Sequence, residues 1–208
     1  MFGTEHLGLF IVTGLLLNIT PGQDTLYIVG RSVSQGRRAG LLSVLGISSG
    51  CLVHSFAAAF GLSAILATSA QAFLVVKLAG AAYLTYLGIR MILERTPETA
   101  GGPHFERESS WAIYRAGLLT NVLNPKVAVF FMAFLPQFVS ASAESRVLAF
   151  LFLGAVFIIN GTLWCLVLVL SAAAISARLR GRASAGVALK RAAGAVFVGL
   201  GVRLAVSK

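Results

Sequence analysis

Acidic residues are scarce in this chain. Seven Asp and Glu stand among 208 residues, and charged residues of either sign make up 12%, about half the ~25% of an ordinary soluble domain. So few charges cannot clothe a water-facing surface, and a large extramembrane domain is excluded. Cysteine is scarce too. Cys51 and Cys165 each stand alone in an apolar run; with no CxxC and no Cys/His cluster, neither a disulfide framework nor a metal site is supported, and both read as small packing residues. No GxxxxGK loop offers a cradle for nucleotide phosphates, and no HExxH or GxSxG supplies hydrolytic chemistry. An enzyme reading therefore has no motif to stand on, and no cofactor is expected. The opening MFGTEHLGLF has no Lys or Arg ahead of its apolar stretch and no clear cleavage site, which argues against a signal peptide.

What the chain has is apolar length. Hydrophobic residues make up 57% and the mean hydropathy is +0.87. At about 20 helical residues per crossing of a ~30 Å hydrocarbon core, the length allows six spans with short connections. Apolar runs with charged or Gly/Pro punctuation place them near 6–30, 39–66, 70–93, 112–138, 146–176 and 186–206. The fifth is the cleanest, since Val147 to Ala177 carries no charge. The sixth is the weakest, because Lys190, Arg191 and Arg203 must snorkel to the headgroups; five spans with a surface-lying C-terminal helix is the alternative.

A net charge of +10 would point a soluble protein toward nucleic acid, but these cations sit between apolar runs, where a membrane surface explains them better. Arg31, Arg37 and Arg38 fall in the first connection, Arg90, Arg95, Arg107 and Arg115 around the third, and Arg178, Arg180, Arg182, Lys190 and Arg191 in the fifth; the other face holds Arg146, Arg203 and Lys208. By the positive-inside rule this twelve-to-three bias puts the odd connections in the cytoplasm and both termini outside a bacterial inner membrane. The longest connection, 94–110, carries Gly101-Gly102 and mixed charge and reads as a linker between two three-span halves, 1–93 and 111–208.

Each half contains one apolar helix interrupted by a polar residue and a proline: Asn18-Ile-Thr20-Pro21-Gly22-Gln23-Asp24 and Asn121-Val-Leu-Asn124-Pro125-Lys126. Three spans is an odd number, so the second half enters from the opposite side and the breaks meet near the midplane. The expected fold is thus an all-α integral membrane protein of six helices, an inverted 3+3 repeat with Pro-broken helices 1 and 4. Pro21 removes the bond to the Leu17 carbonyl and Pro125 the bond to Asn121. Thr20 and Asn124 have N-cap character ahead of a proline at the first helical position, and Thr20-x-x-Gln23 has capping-box spacing. Free N–H groups at such half-helix starts suit a carboxylate. Asn18, Thr20, Pro21, Gly22, Asp24, Asn121, Asn124, Pro125 and Lys126 form the candidate substrate-binding set. The competing reading is two ordinary proline kinks, which membrane helices tolerate. Asp24 is the one acidic residue expected within the spanning core, and hence the candidate for proton coupling.

Four further residues, Lys77, His54, Asn160 and Gln137, each have two readings. Lys77 either serves the interior or snorkels to the interface. Gly46, Gly50 and His54 share a face at i, i+4, i+8, where the glycines admit a neighbouring helix; His54 either relays a proton or hydrogen-bonds that helix. Asn160, sharing a face with Trp164, either bonds between helices or lines a pocket. Gln137, at the end of span four, has the same two readings.

The Thr20-Pro21-Gly22-x-Asp24 segment, the Gly46/Gly50/His54 run, Lys77-Leu-Ala-Gly80-Ala-Ala-Tyr83-Leu84-Thr-Tyr86-Leu87-Gly88, Leu123-Asn124-Pro125-Lys126 and Pro136-Gln137-Phe138 together resemble the LysE/RhtB family of bacterial amino-acid exporters, over about residues 5 to 205. Gln23 departs from the second proline more usual in that family. The resemblance implies efflux of amino acids or close derivatives driven by the proton motive force. With one carboxylate and two ammonium groups expected inside, a dibasic cargo matches poorly, and neutral amino acids of the threonine, homoserine or leucine type fit better. A passive channel or a non-transporting membrane scaffold are the other readings. Membrane lipid is an expected partner, nucleic acid is not, and the small-residue faces allow a homodimer.

Overall fold

The computed structural model describes residues 3–93, 107–140, 142–179, 191, 194–195, 198–199 and 201–206. Helix α1 (Leu7–Ile19) ends at the Thr20–Gly22 break and is followed by α2 (Gln23–Gln35). Helix α3 (Arg37–Phe56) runs on through a π-helical stretch, Ala57–Leu62, and one further α segment, Ser63–Thr68. Helix α4 spans Ala70–Leu93 and α5 spans Ser110–Val122. After the second break, α6 (Pro125–Val129) continues through π-helical Phe130–Phe134 and a 3-10 turn, Leu135–Phe138, before the long α7 (Arg146–Leu179). Among the described residues the β pairing is one isolated bridge, Thr4 to Val139.

Among the described residues, two helices can cross a membrane by length and composition, Arg37–Ile65 and Arg146–Ala172, and a third crossing follows if Ser110–Val122 and Pro125–Phe138, bent by 46°, count as one broken span. The expected first span divides unequally. Its apolar part, α1, has 13 residues and reaches about 20 Å, short of a ~30 Å core. Helix α2 is amphipathic and buries Tyr27, Ile28, Gly30, Arg31 and Ser32. The expected first connection is correspondingly shorter. A single residue, Gly36 at φ +85°, joins α2 to α3, a conformation that disfavours any side chain. Arg31, expected in that connection, instead lies inside α2 and is 2% exposed. Residues 94–106 of the linker and most of the expected sixth span and fifth connection lie outside the described residues.

Among the described residues two apolar clusters hold the bundle. In one, Phe10 of α1, Phe130, Phe131, Phe134 and Phe138 of the α6 continuation, and Phe150 and Phe157 of α7 interlock, with Phe130 and Phe157 centroids 4.9 Å apart. In the other, Tyr27 and Ile28 of α2 meet Val44 and Ile47 of α3 and Leu168 and Val169 of α7. Helix α3 packs most extensively on α5, and its glycines are the reason: a Cβ at Gly50 would come within 2.7 Å of the Asn121 Cβ, and one at Gly46 would strike the Tyr114 carbonyl. On one helical face α7 presents Ile159, Leu163, Val167 and Leu170, all more than half exposed.

Candidate functional site

At the first break the chain leaves α1 through Thr20, whose N–H and Oγ1 both donate to the Leu16 carbonyl, at 3.1 and 2.7 Å. Thr20 therefore closes α1 and does not open α2. The expected capping box with Gln23 does not form, because the N-cap of α2 is Gly22 and no side chain bonds there. Pro21 leaves the Leu17 carbonyl without its helical partner. The partner comes from the other half of the chain: Lys126 Nζ donates to Leu17 O at 3.1 Å and to Thr20 O at 3.0 Å. Gly22 makes room for this, since a Cβ there would sit 3.1 Å from the ammonium.

The second break does carry the expected cap. Asn124 Oδ1 accepts from the Lys126 N–H at 3.0 Å with Pro125 at the first helical position. The Asn121 carbonyl that Pro125 frees accepts from the Asn124 N–H at 2.9 Å and from His54 Nε2, on α3, at 3.1 Å. A carbonyl only accepts, so Nε2 is the protonated nitrogen in this contact. The His54 ring stacks on Phe131, centroids 5.8 Å apart. Each break is thus completed by a nitrogen donor from the opposite half: Lys126 for the first, His54 for the second.

The two breaks meet through Asn121, which is fully buried and whose Nδ2 donates to Asp24 Oδ2 at 2.8 Å. Around this bond lies a cavity of about 30 Å³, room for about one water. Asn18, Asp24, Asn121 and Lys126 line it from the breaks, and Ile47, Ser48, Cys51, Phe157, Thr162 and Trp164 are among the residues of α3 and α7 that wall it. Four polar atoms at its lining are buried without a hydrogen-bond partner: Asn18 Nδ2, Trp164 Nε1, Asp24 Oδ1 and Asn121 Oδ1. Buried polar atoms are ordinarily paired, so two donors and two acceptors held open around one cavity form a ligand-shaped set.

The other sequence candidates lie off this cavity. Thr20, Pro21, Gly22, Asn124 and Pro125 shape the backbone beside it. Asn160 Nδ2 donates to Ile11 O at 3.1 Å, joining α7 to α1. Gln137 Nε2 reaches the Ala133 carbonyl at 3.4 Å, and Lys77 is half-buried on α4 between exposed Val75 and Leu78. Trp164, on the α7 face given a pocket-lining reading, does line the cavity, but sequence reasoning missed the rest of the α3 and α7 wall. Ser48 and Thr162 hydrogen-bond across it at 2.9 Å, and both cysteines line it, although they read as packing residues. The signal for them was small polar residues inside charge-free runs, Ser48 between Gly46 and Gly50 and Thr162 between Asn160 and Trp164.

The model of the LysE type translocator family matches residues 15–208. The chain belongs to the LysE family. The chain is 30% identical over 211 residues to an uncharacterised membrane protein of Pseudomonas aeruginosa, covering 99% of this chain and 95% of that one. It is 28% identical over 208 residues to the leucine efflux protein of Enterobacter sp., covering 98% and 97%. With an uncharacterised membrane protein of Vibrio cholerae serotype O1 the identity is 33% over 135 residues, 65% of each chain. No solved structure matches this LysE chain.

Proposed function

We propose that this LysE translocator exports neutral amino acids across the bacterial inner membrane as a proton-coupled secondary transporter, with the cavity between the breaks as the substrate site. The observation that carries the reading is the set of four unpaired polar atoms there. Asp24 Oδ1 and Asn121 Oδ1 suit an α-ammonium; Asn18 Nδ2 and Trp164 Nε1 suit an α-carboxylate. The adjoining wall of Ile47, Cys51, Phe157 and Ile158 suits an uncharged side chain. Relatives named leucine efflux protein support amino-acid export. At about 30 Å³ the cavity is smaller than any amino acid, so loading requires the helices around it to part, which favours alternating access over an open channel.

Asp24 is assigned the coupling role. It takes a proton from outside as the substrate's ammonium leaves, and returns the proton when the site faces the cytoplasm. The two halves then form the inverted 3+3 repeat with the linker inside and both termini outside. The deciding experiment uses proteoliposomes with an imposed pH gradient and a panel of labelled amino acids. The native protein should accumulate a neutral amino acid against its gradient with saturation. The Asp24→Asn variant should lose uphill transport while retaining exchange. Sustained uphill accumulation by Asp24→Asn would end the coupling role, and linear, unsaturable flux through the native protein would establish a channel instead.

A further inference from the structure

Helix α2 is a 13-residue rod between two non-helical joints, the Thr20–Gly22 break and Gly36, and it runs antiparallel along α5. Asp24 bonds Asn121 at the cavity; one turn on, the Tyr27 ring packs at Gly117, where a Cβ would lie 3.3 Å from it. Tyr27 Oη donates to the Ile113 carbonyl at 2.7 Å. At the far end Arg31 Nη2 meets Glu108 Oε2 at 2.9 Å, with the guanidinium 5.4 Å from the Tyr27 ring centroid. Arg31 is 2% exposed, whereas Glu108, just ahead of α5, is 42% exposed. The zipper thus reaches from the cavity, about 10 Å along α2, to the linker end of the bundle.

We propose that Arg31, Glu108 and Tyr27 form a gate that closes the cavity on its linker side, and that α2 swings on its two joints to open it. A buried arginine has two favourable conditions, paired with a carboxylate or hydrated, and an unpaired buried state between them is costly. That makes the contact suited to two discrete positions: zipped, with the guanidinium sealed between Glu108 and the Tyr27 ring, and parted, with water in the seam. Hinged elements move at a few terminal residues, and α2 has such residues at both ends. Because Asp24 opens the same rod, the group that meets substrate and the group that seals the entrance move as one body. The gate deepens the transport reading, but its own readout requires no amino acid.

Cys51 and Cys165 line the cavity and serve as native reporters. Membrane vesicles of both orientations are exposed to an impermeant maleimide and the label is assigned by mass spectrometry. A separate Ser110→Cys variant identifies the linker face. Glu108→Gln should raise cavity-cysteine labelling from the linker face by about tenfold, the factor expected if about 1.4 kcal/mol of closing free energy is removed, with no rise from the opposite face. Glu108→Asp should restore most of the protection. Should Glu108→Gln insert poorly, Tyr27→Phe, which keeps the ring and loses the bond to Ile113, must give a rise on the same face. Labelling unchanged in these variants, or raised equally from both faces, overturns the gate. Faster labelling in a protein that moves no amino acid would leave the gate standing and sink the transport reading.

Discussion

Lys126 illustrates how one side chain can tie the two halves together. Its ammonium bonds two carbonyls of the first break while its backbone N–H is capped by Asn124 in the second. Each buried carbonyl left without a donor costs about 1–3 kcal/mol. Lys126→Met should therefore lower the thermal unfolding midpoint in detergent clearly, whereas Lys126→Gln, which retains an amide donor, should lose less; equal losses would mean that the carbonyl contacts contribute nothing. Thr20 and Asn124 looked equivalent in sequence, each a small polar residue before proline. Their side chains face opposite ways: Asn124 caps the helix that follows, and Thr20 bonds back to Leu16. A cap is worth about 1 kcal/mol, so Asn124→Leu should reduce transport per folded molecule well beyond Thr20→Val, measured as export at equal membrane abundance.

Among the elements, the α3–α5 pair depends on close backbone approach. Gly50 faces Asn121, the residue that holds Asp24. Gly50→Val should cost about 1–3 kcal/mol by overpacking and should displace Asn121, so uphill transport should fall more steeply than abundance; a stable, fully active variant would show that the seam yields. The breaks themselves were legible because proline lacks an N–H; of the two expected caps, the one at Asn124 forms and the one at Thr20 does not. Helix α2 was harder to read. Its Tyr27, Ile28 and Val29 continued the apolar run of α1, so the sequence suggested one broken span, and Arg31 looked like the start of a loop. Buried Arg31 pairs with Glu108, and nothing between positions 23 and 36 signals that partner.

At the scale of the whole molecule, Arg31 lies inside α2 rather than in a connection but stays at the linker end beside Glu108, so the charge bias stands. Ser142 and Ser110, the first residue of α5, are both exposed, and the proposed topology puts them on opposite faces. In a background lacking both native cysteines, an impermeant maleimide added outside intact cells should label Ser142→Cys and spare Ser110→Cys; the reverse pattern would invert the proposed topology.

Composition and apolar length alone were enough to place α3 with its continuation to Thr68, and α7, close to their observed bounds, because a membrane helix satisfies its backbone internally and needs only enough uncharged residues in a row. The proline breaks were equally local. The completion of those breaks came only with the tertiary structure: Lys126 reaches Leu17 and Thr20 across more than 100 residues, and His54 reaches Asn121 across 67. The same holds for the α3–α7 wall, whose Ser48 and Thr162 are 114 residues apart. A freed carbonyl demands a donor, but which donor arrives is a property of how the helices pack, and that is written in the pairing of distant faces rather than in any one segment.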